Sequence, residues 1–216
     1  MKILLISSSP RKKRSQTFLL ATEVLKGCAD AETETVHLFD FEIKFCRHCE
    51  VCHKKILACP IKDDVQMILG KMLEADGILL ASPDYINHVT AGMKALFDRS
   101  SHIFHCQRLF GKYTGSVATA GSGPHEMVLD YMHDFSTMCG AQYVGGVSTV
   151  IPVTEAIKKK AREVGRDLAE AFRKKKEFPQ EMEAIQSQRS HFRKITEAHK
   201  KEWIAEYQYW VERGWL

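Results

Sequence analysis

The chain has 216 residues, 44% of them hydrophobic and 27% charged, which is long enough for one sizeable core and short for two. A formal charge of +4 at pH 7 is too small to argue for nucleic acid, and the basic runs Lys158-Lys159-Lys160 and Arg173-Lys174-Lys175-Lys176 fall in a helical pattern that reads as a solvated face. No apolar run approaches the roughly twenty residues that span a bilayer, no cleavable leader opens the chain, and seven cysteines are an odd number, so the expected setting is the reducing cytoplasm, away from membranes.

Strand and helix signals alternate from the first residue, the pattern of a parallel sheet covered on both faces. Lys2 to Ser7 reads as a buried strand, because Ile3-Leu4-Leu5-Ile6 is apolar without alternation. A helix from Thr17 to Gly27 follows, then a second strand from Thr35 to Phe39. A helix from Asp63 to Leu73 leads to a central strand, Gly77-Ile78-Leu79-Leu80-Ala81, ending at Ser82-Pro83. Thr90 to Ser101 reads as helix, Thr114 to Thr119 as strand, Glu126 to Cys139 as helix and Ala141 to Val150 as the last strand. A long charged helix covers Thr154 to Lys176. The unit is thus an α/β fold with five parallel strands and five alternating helices.

Between the second strand and the next helix lies Cys46-x2-Cys49-x2-Cys52-x6-Cys59-Pro60. Repeated x2 intervals let one tight loop set three sulfurs around a cubane while a fourth arrives from further along, as in the bacterial ferredoxin pattern. The spacing therefore points to one [4Fe-4S] cluster on Cys46, Cys49, Cys52 and Cys59. A zinc site or cysteines without metal are the alternatives, although zinc sites more usually show two separated Cys-x2-Cys pairs. His48 and His53, inside the loop, read as exposed spacers.

A parallel sheet binds ligands at the carboxyl ends of its strands, so the loops after strands one, three and four are the places to look. After strand one, Ser7-Ser8-Ser9-Pro10-Arg11 and Ser15-Gln16-Thr17 precede a helix. Hydroxyls, a fixed positive charge and free helix N-terminal amides are groups that hold a phosphate. A Ser/Thr cap behind a basic loop is the plainer account.

Four features in order resemble the iron-sulfur flavoprotein branch of the flavodoxin-like, NAD(P)H-dependent FMN reductase family, over about Met1 to Ile151. They are Ser9-Pro10-Arg11 with Ser15-Gln16-Thr17, the cysteine loop closed by Ile61-Lys62-Asp63-Asp64, Ser82-Pro83-Asp84-Tyr85-Ile86-Asn87 leading into Met93-Lys94-Ala95-Leu96-Phe97-Asp98-Arg99, and Thr119-Ala120-Gly121-Ser122-Gly123. Ser8 and Gln16 replace the usual glycine and asparagine, and Asp84 and Ile86 stand where small or aromatic residues are common. The resemblance implies a flavodoxin-like three-layer sandwich and FMN as cofactor. It implies that Ser9, Arg11, Ser15, Gln16 and Thr17 take the phosphate. Pro83, Asp84, Tyr85, Ile86 and Asn87 on one side, and Thr119, Ala120, Gly121 and Gly123 on the other, would flank the ring, with Tyr85 a candidate to stack on it. It further implies an oxidoreductase working between ferredoxin or NAD(P)H and a small acceptor. A cluster-free reductase acting directly on quinones is the alternative. No catalytic acid stands out.

Outside that frame, His102, His105 and Cys106 read as a surface or interface group lacking a carboxylate, and Cys28 and Cys139 as packed small residues. Residues 1–178 form the expected core domain, with the cysteine loop 46–59 inserted, and residues 179–216 a helical extension. Trp203, Tyr207 and Trp210 fall at i, i+4 and i+7, an apolar stripe expected to contact another subunit in a homodimer or homotetramer.

Overall fold

A computed structural model describes residues 1–216. Five strands, β1 (Lys2–Ser7), β2 (Glu32–His37), β3 (Gly77–Pro83), β4 (Tyr113–Ala120) and β5 (Gln142–Val150), form one all-parallel sheet in the order β2-β1-β3-β4-β5. The helices are α1 (Gln16–Gly27), α2 (Val51–Lys54), α3 (Val65–Glu74), α4 (Ala91–Asp98), α5 (Ser101–His105), α6 (Glu126–Met138), α7 (Glu155–Lys174), α8 (Pro179–Ala198) and α9 (Ile204–Glu212). The strand order is the doubly wound, flavodoxin-like one, with its topological switch between β1 and β3.

Two cores follow from strands that are apolar on both faces. Leu5, Leu79 and Val117 pack under Leu20 and Val24 of α1 and Ala161 of α7. Leu4, Ile6, Ile78 and Leu80 pack on the other face, under Ile68 and Leu69 of α3 and Val128 and Met132 of α6. The three-layer sandwich is thereby complete.

Three sequence expectations need correction. The second strand begins at Glu32 and ends at His37, followed by a short 3-10 turn over Leu38–Asp40. It lies at the sheet edge, pairing only with β1, so its outer residues tolerate the polar sequence Glu-Thr-Glu-Thr that disguised it. The helix expected over Thr90–Ser101 is broken into α4 and α5, since Arg99 terminates the first and Ser100 Oγ donates back to Leu96 O at 2.8 Å. The third concerns the tail. It folds as two helices, and Trp203 and Trp210 of its stripe are buried within the same chain: Trp210 is fully buried with Cys106 and Phe192, and Trp203 is the residue preceding α9 rather than part of it. Burying a Trp removes roughly 200 Å² from water, worth about 5 kcal/mol at 25 cal/mol/Å². The chain's own surface between α2, α5 and α8 offers that burial, so the stripe does not wait for a second subunit.

Candidate functional site

The candidate residues line two cavities. The first, of about 280 Å³, sits at the switch point and is lined by Ser9, Arg11, Ser15, Gln16, Thr17, Pro83, Asp84, Tyr85, Thr119, Ala120, Gly121 and Ile151. Sequence reasoning named all of these except Ile151, which follows the last strand. Ile86, Asn87 and Gly123 were named but do not line it. The reason at the first two is a tight turn, closed by Tyr85 N donating to His88 O at 2.9 Å, that holds Ile86 and Asn87 at φ 54° and 60° and leaves Ile86 98% exposed.

Local folding makes this cavity hospitable to an anion. Ser15 caps α1 by accepting from Phe18 N at 2.9 Å, while the amides of Gln16 and Thr17 find no acceptor in the chain. Helix N-terminal amides of this kind favour negative charge. Arg11 is exposed beside them, whereas Lys12 is already paired with Asp40. Thr17 Oγ1 and Thr119 Oγ1 meet at 2.7 Å, tying the end of β4 to the helix start. Gln16 turns its carbonyl away: Oε1 accepts from Val153 N at 3.0 Å, fixing the segment after β5. Asp84, which also lines this cavity, keeps Oδ1 buried without a hydrogen-bond partner, an acceptor the chain itself leaves unsatisfied. Phosphate at one end and a ring imide at the other fit this set of groups, as FMN would present them.

The second cavity, of about 90 Å³, is lined by Cys46, Cys49, Cys52 and Cys59 together with Arg99 and His102. All four cysteines are free thiols. The loop that carries them is held from outside. Asp63 receives Lys44 N at 2.9 Å and Val65 N at 3.3 Å, and Asp64 receives Glu42 N at 2.8 Å, so the two ends of the loop are pinned together. Arg99 lies behind Asp63 and pairs with it in a fork, at 2.6 and 3.1 Å. Nη1 also donates to Lys44 O at 2.8 Å and Nη2 to the Cys59 sulfur at 3.2 Å, while Nε is buried without a partner. Burial alone would raise the Asp63 carboxyl, but the guanidinium and the two amides hold it below the usual carboxylate range. His102 is buried with both ring nitrogens unpartnered, and burial lowers its pKa to about 4, so it stands neutral beside the thiols. Clustered reduced thiols, one of them receiving a guanidinium N–H, are the donor chemistry that an iron-sulfur centre requires.

Two expectations about histidines are overturned here. His53 is not an exposed spacer: it is buried, with Nδ1 at 2.6 Å from Glu206 Oε1. The His102, His105, Cys106 group does have a carboxylate, because Glu206 Oε2 stands 3.3 Å from His105 Nδ1. Glu206 lies 153 residues from His53 on a helix that no local pattern connects with the loop. His48 is exposed as expected, and Cys28 and Cys139 are buried packing residues whose thiols burial pushes up, Cys28 to about 11.

Known proteins share the family and the fold of this chain. Residues 1–155 match the NADPH-dependent FMN reductase family. An iron-sulfur flavoprotein of Archaeoglobus fulgidus is 34% identical over 224 residues, covering 100% of both chains. One from Methanocaldococcus jannaschii is 42% identical over 139 residues, 62% of this chain and 71% of its own. Among solved structures, a WrbA-like flavodoxin protein from Agrobacterium tumefaciens superposes with a TM-score of 0.57 at 16% identity, over 81% of this chain and 98% of its own, and so shares the fold. Fold and site define a flavin-dependent oxidoreductase. The chain belongs to the NADPH-dependent FMN reductase family and, within it, to the iron-sulfur flavoproteins.

Proposed function

We propose that the protein passes electrons between a reduced donor, NAD(P)H or a ferredoxin, and a small acceptor, using FMN in the switch-point cavity and one [4Fe-4S] cluster on Cys46, Cys49, Cys52 and Cys59. The observation that carries this reading is the convergence of all four thiols and the Arg99 guanidinium on one cavity, in a chain whose switch point carries the anion-binding loop. When bound, FMN exchanges a two-electron equivalent and a cluster takes electrons singly, which suits a junction between hydride donors and one-electron carriers.

The residues divide the remaining work. Ser9, Arg11, Ser15 and the amides of Gln16 and Thr17 hold the phosphate by charge-assisted hydrogen bonds. Asp84 accepts from the ring edge, while Pro83, Ala120 and Gly121 leave room for a plane. Arg99 donates to the Cys59 sulfur and orients it. No helix of the chain is long and apolar enough to cross a membrane.

Anaerobic reconstitution tests the reading. The expected result is about four irons and four acid-labile sulfides per chain, lost on changing any one of the four cysteines to alanine while FMN stays bound. One zinc without sulfide would reject the cluster. In the same preparation, Arg11→Ala should weaken FMN far more than riboflavin, and equal losses would reject the phosphate site.

A further inference from the structure

We infer that the C-terminal extension is a working part of the cysteine site, with Glu206 as a positioning residue that sets Cys52 through its neighbour His53. The inference rests on the cluster reading above and asks what gives the ligand loop its shape. Helix α2, Val51–Lys54, is a single turn, far too short to be stable by itself. Around it the backbone takes positive φ at His48, Glu50 and Leu57, none of them glycine, so local preference works against this conformation rather than for it. Contacts from elsewhere must impose it.

Those contacts come chiefly from α9 and α5. Glu206 on α9 is fully buried, and its two oxygens are taken separately, by His53 at 2.6 Å and by His105 at 3.3 Å. The His53 ring is also stacked on Trp203, with centroids 4.4 Å apart and planes 16° from parallel. Trp210 Nε1 donates to His105 O at 3.2 Å, joining α9 to α5. A carboxylate with no access to water is strongly unfavourable without its partners, so α9 docks with both histidines engaged or does not dock. Docking of the tail and seating of α2 are therefore one event. Cys52 is the residue preceding His53, and the register in which the imidazole meets Glu206 fixes where its sulfur stands. The loop then has two anchors remote in sequence, Arg99 for Cys59 and Glu206 for Cys52, while Cys46 and Cys49, which precede both, remain exposed.

The test uses the full-length chain with iron removed and Co²⁺ as probe, because tetrahedral cobalt-thiolate absorption reports four-sulfur coordination independently of turnover. Glu206→Ala is expected to weaken Co²⁺ binding 10–100-fold, the usual effect of removing a group that orients a metal ligand. It should lower retained iron and sulfide after reconstitution while FMN content stays at the wild-type level. Glu206→Gln, which still offers an acceptor to His53, should recover most of the affinity. Glu206→Asp is one methylene too short to span both histidines and should not. Should the alanine variant lose FMN too, the Gln and Asp variants decide alone: equal Co²⁺ affinity in these two and the wild type overturns the assignment. A wild-type chain that binds Co²⁺ through its thiols yet takes up no iron and sulfide would instead overturn the cluster reading and leave Glu206 standing as the positioning residue of another thiolate metal site.

Discussion

Arg99 carries its charge into a place without water, with its side chain 1% exposed and that of Asp63 fully buried. A buried pair of this kind adds little net stability relative to an apolar pair of the same shape, yet breaking it by removing one partner is severe. Arg99→Met should leave Asp63 charged, buried and facing only two backbone amides, and cost about 3–5 kcal/mol. Adding Asp63→Leu should recover much of that loss. The check is urea denaturation of both single variants and the double variant. If Arg99→Met costs less than about 1 kcal/mol, Arg99 does not hold the loop. Retaining so costly an arrangement makes physical sense where a guanidinium is wanted beside a sulfur. An apolar pair would pack as well and could not donate to Cys59.

Between elements, α1 and α7 approach closely, and two glycines permit it. A Cβ on Gly165 would fall 1.9 Å from Val24 O, and one on Gly27 would fall 2.1 Å from Arg162 O. Both obstacles are backbone and cannot swing aside. Gly165→Ala gains about 1 kcal/mol of helix propensity, but overpacking costs about 1–3 kcal/mol and more where backbone meets backbone. A net loss of thermal stability is expected, with α1 displaced at its C-terminal end, the end away from the anion loop. A stabilised Gly165→Ala protein would show that the helices part without penalty. Such contacts also mark where sequence reading stops. The continuous apolar runs of β1 and β3 were legible because burial on both faces removes alternation, and the cysteine loop was legible because its ligands lie within fourteen residues. The start of β2 was hidden by its polar edge position, and the α4–α5 break by a pattern that reads as apolar throughout. Glu206 was hidden most completely, since a single Glu on a short amphipathic helix looks solvated until the partner histidines are found across the fold.

At the scale of the whole molecule, the tail wraps one side of the sandwich and is fastened at both ends. Its far end is the Glu206 contact. At the near end, Glu181 of α8 receives His133 Nε2 at 2.8 Å, Thr137 Oγ1 at 2.8 Å and Tyr143 N at 3.3 Å, joining α8 to α6 and β5. The hydrogen bond to Glu181 raises the His133 pKa above its ordinary value. Burial would raise Glu181, but His133 and Thr137 hold it below the usual range. The signs define a window. A raised histidine contributes stability that is fully present below its unfolded pKa, about 6.5, and is lost as pH rises through the folded value. A lowered carboxylate contributes stability present above about 4.5 and lost as pH falls through its folded value. The fastening is therefore tightest between about pH 4.5 and 6.5 and weakens toward pH 8. His133 is partly exposed, so the effect is expected at about 1 kcal/mol or less. Urea denaturation of wild type and His133→Gln at pH 6 and pH 8 measures it: the stability difference between the two proteins should shrink at the higher pH. A difference that is the same at both pH values would show that this pair does not fasten the tail. Because α8 leads directly into α9, the same experiment followed by Co²⁺ titration tests whether loosening the near end of the tail reaches the cysteine loop.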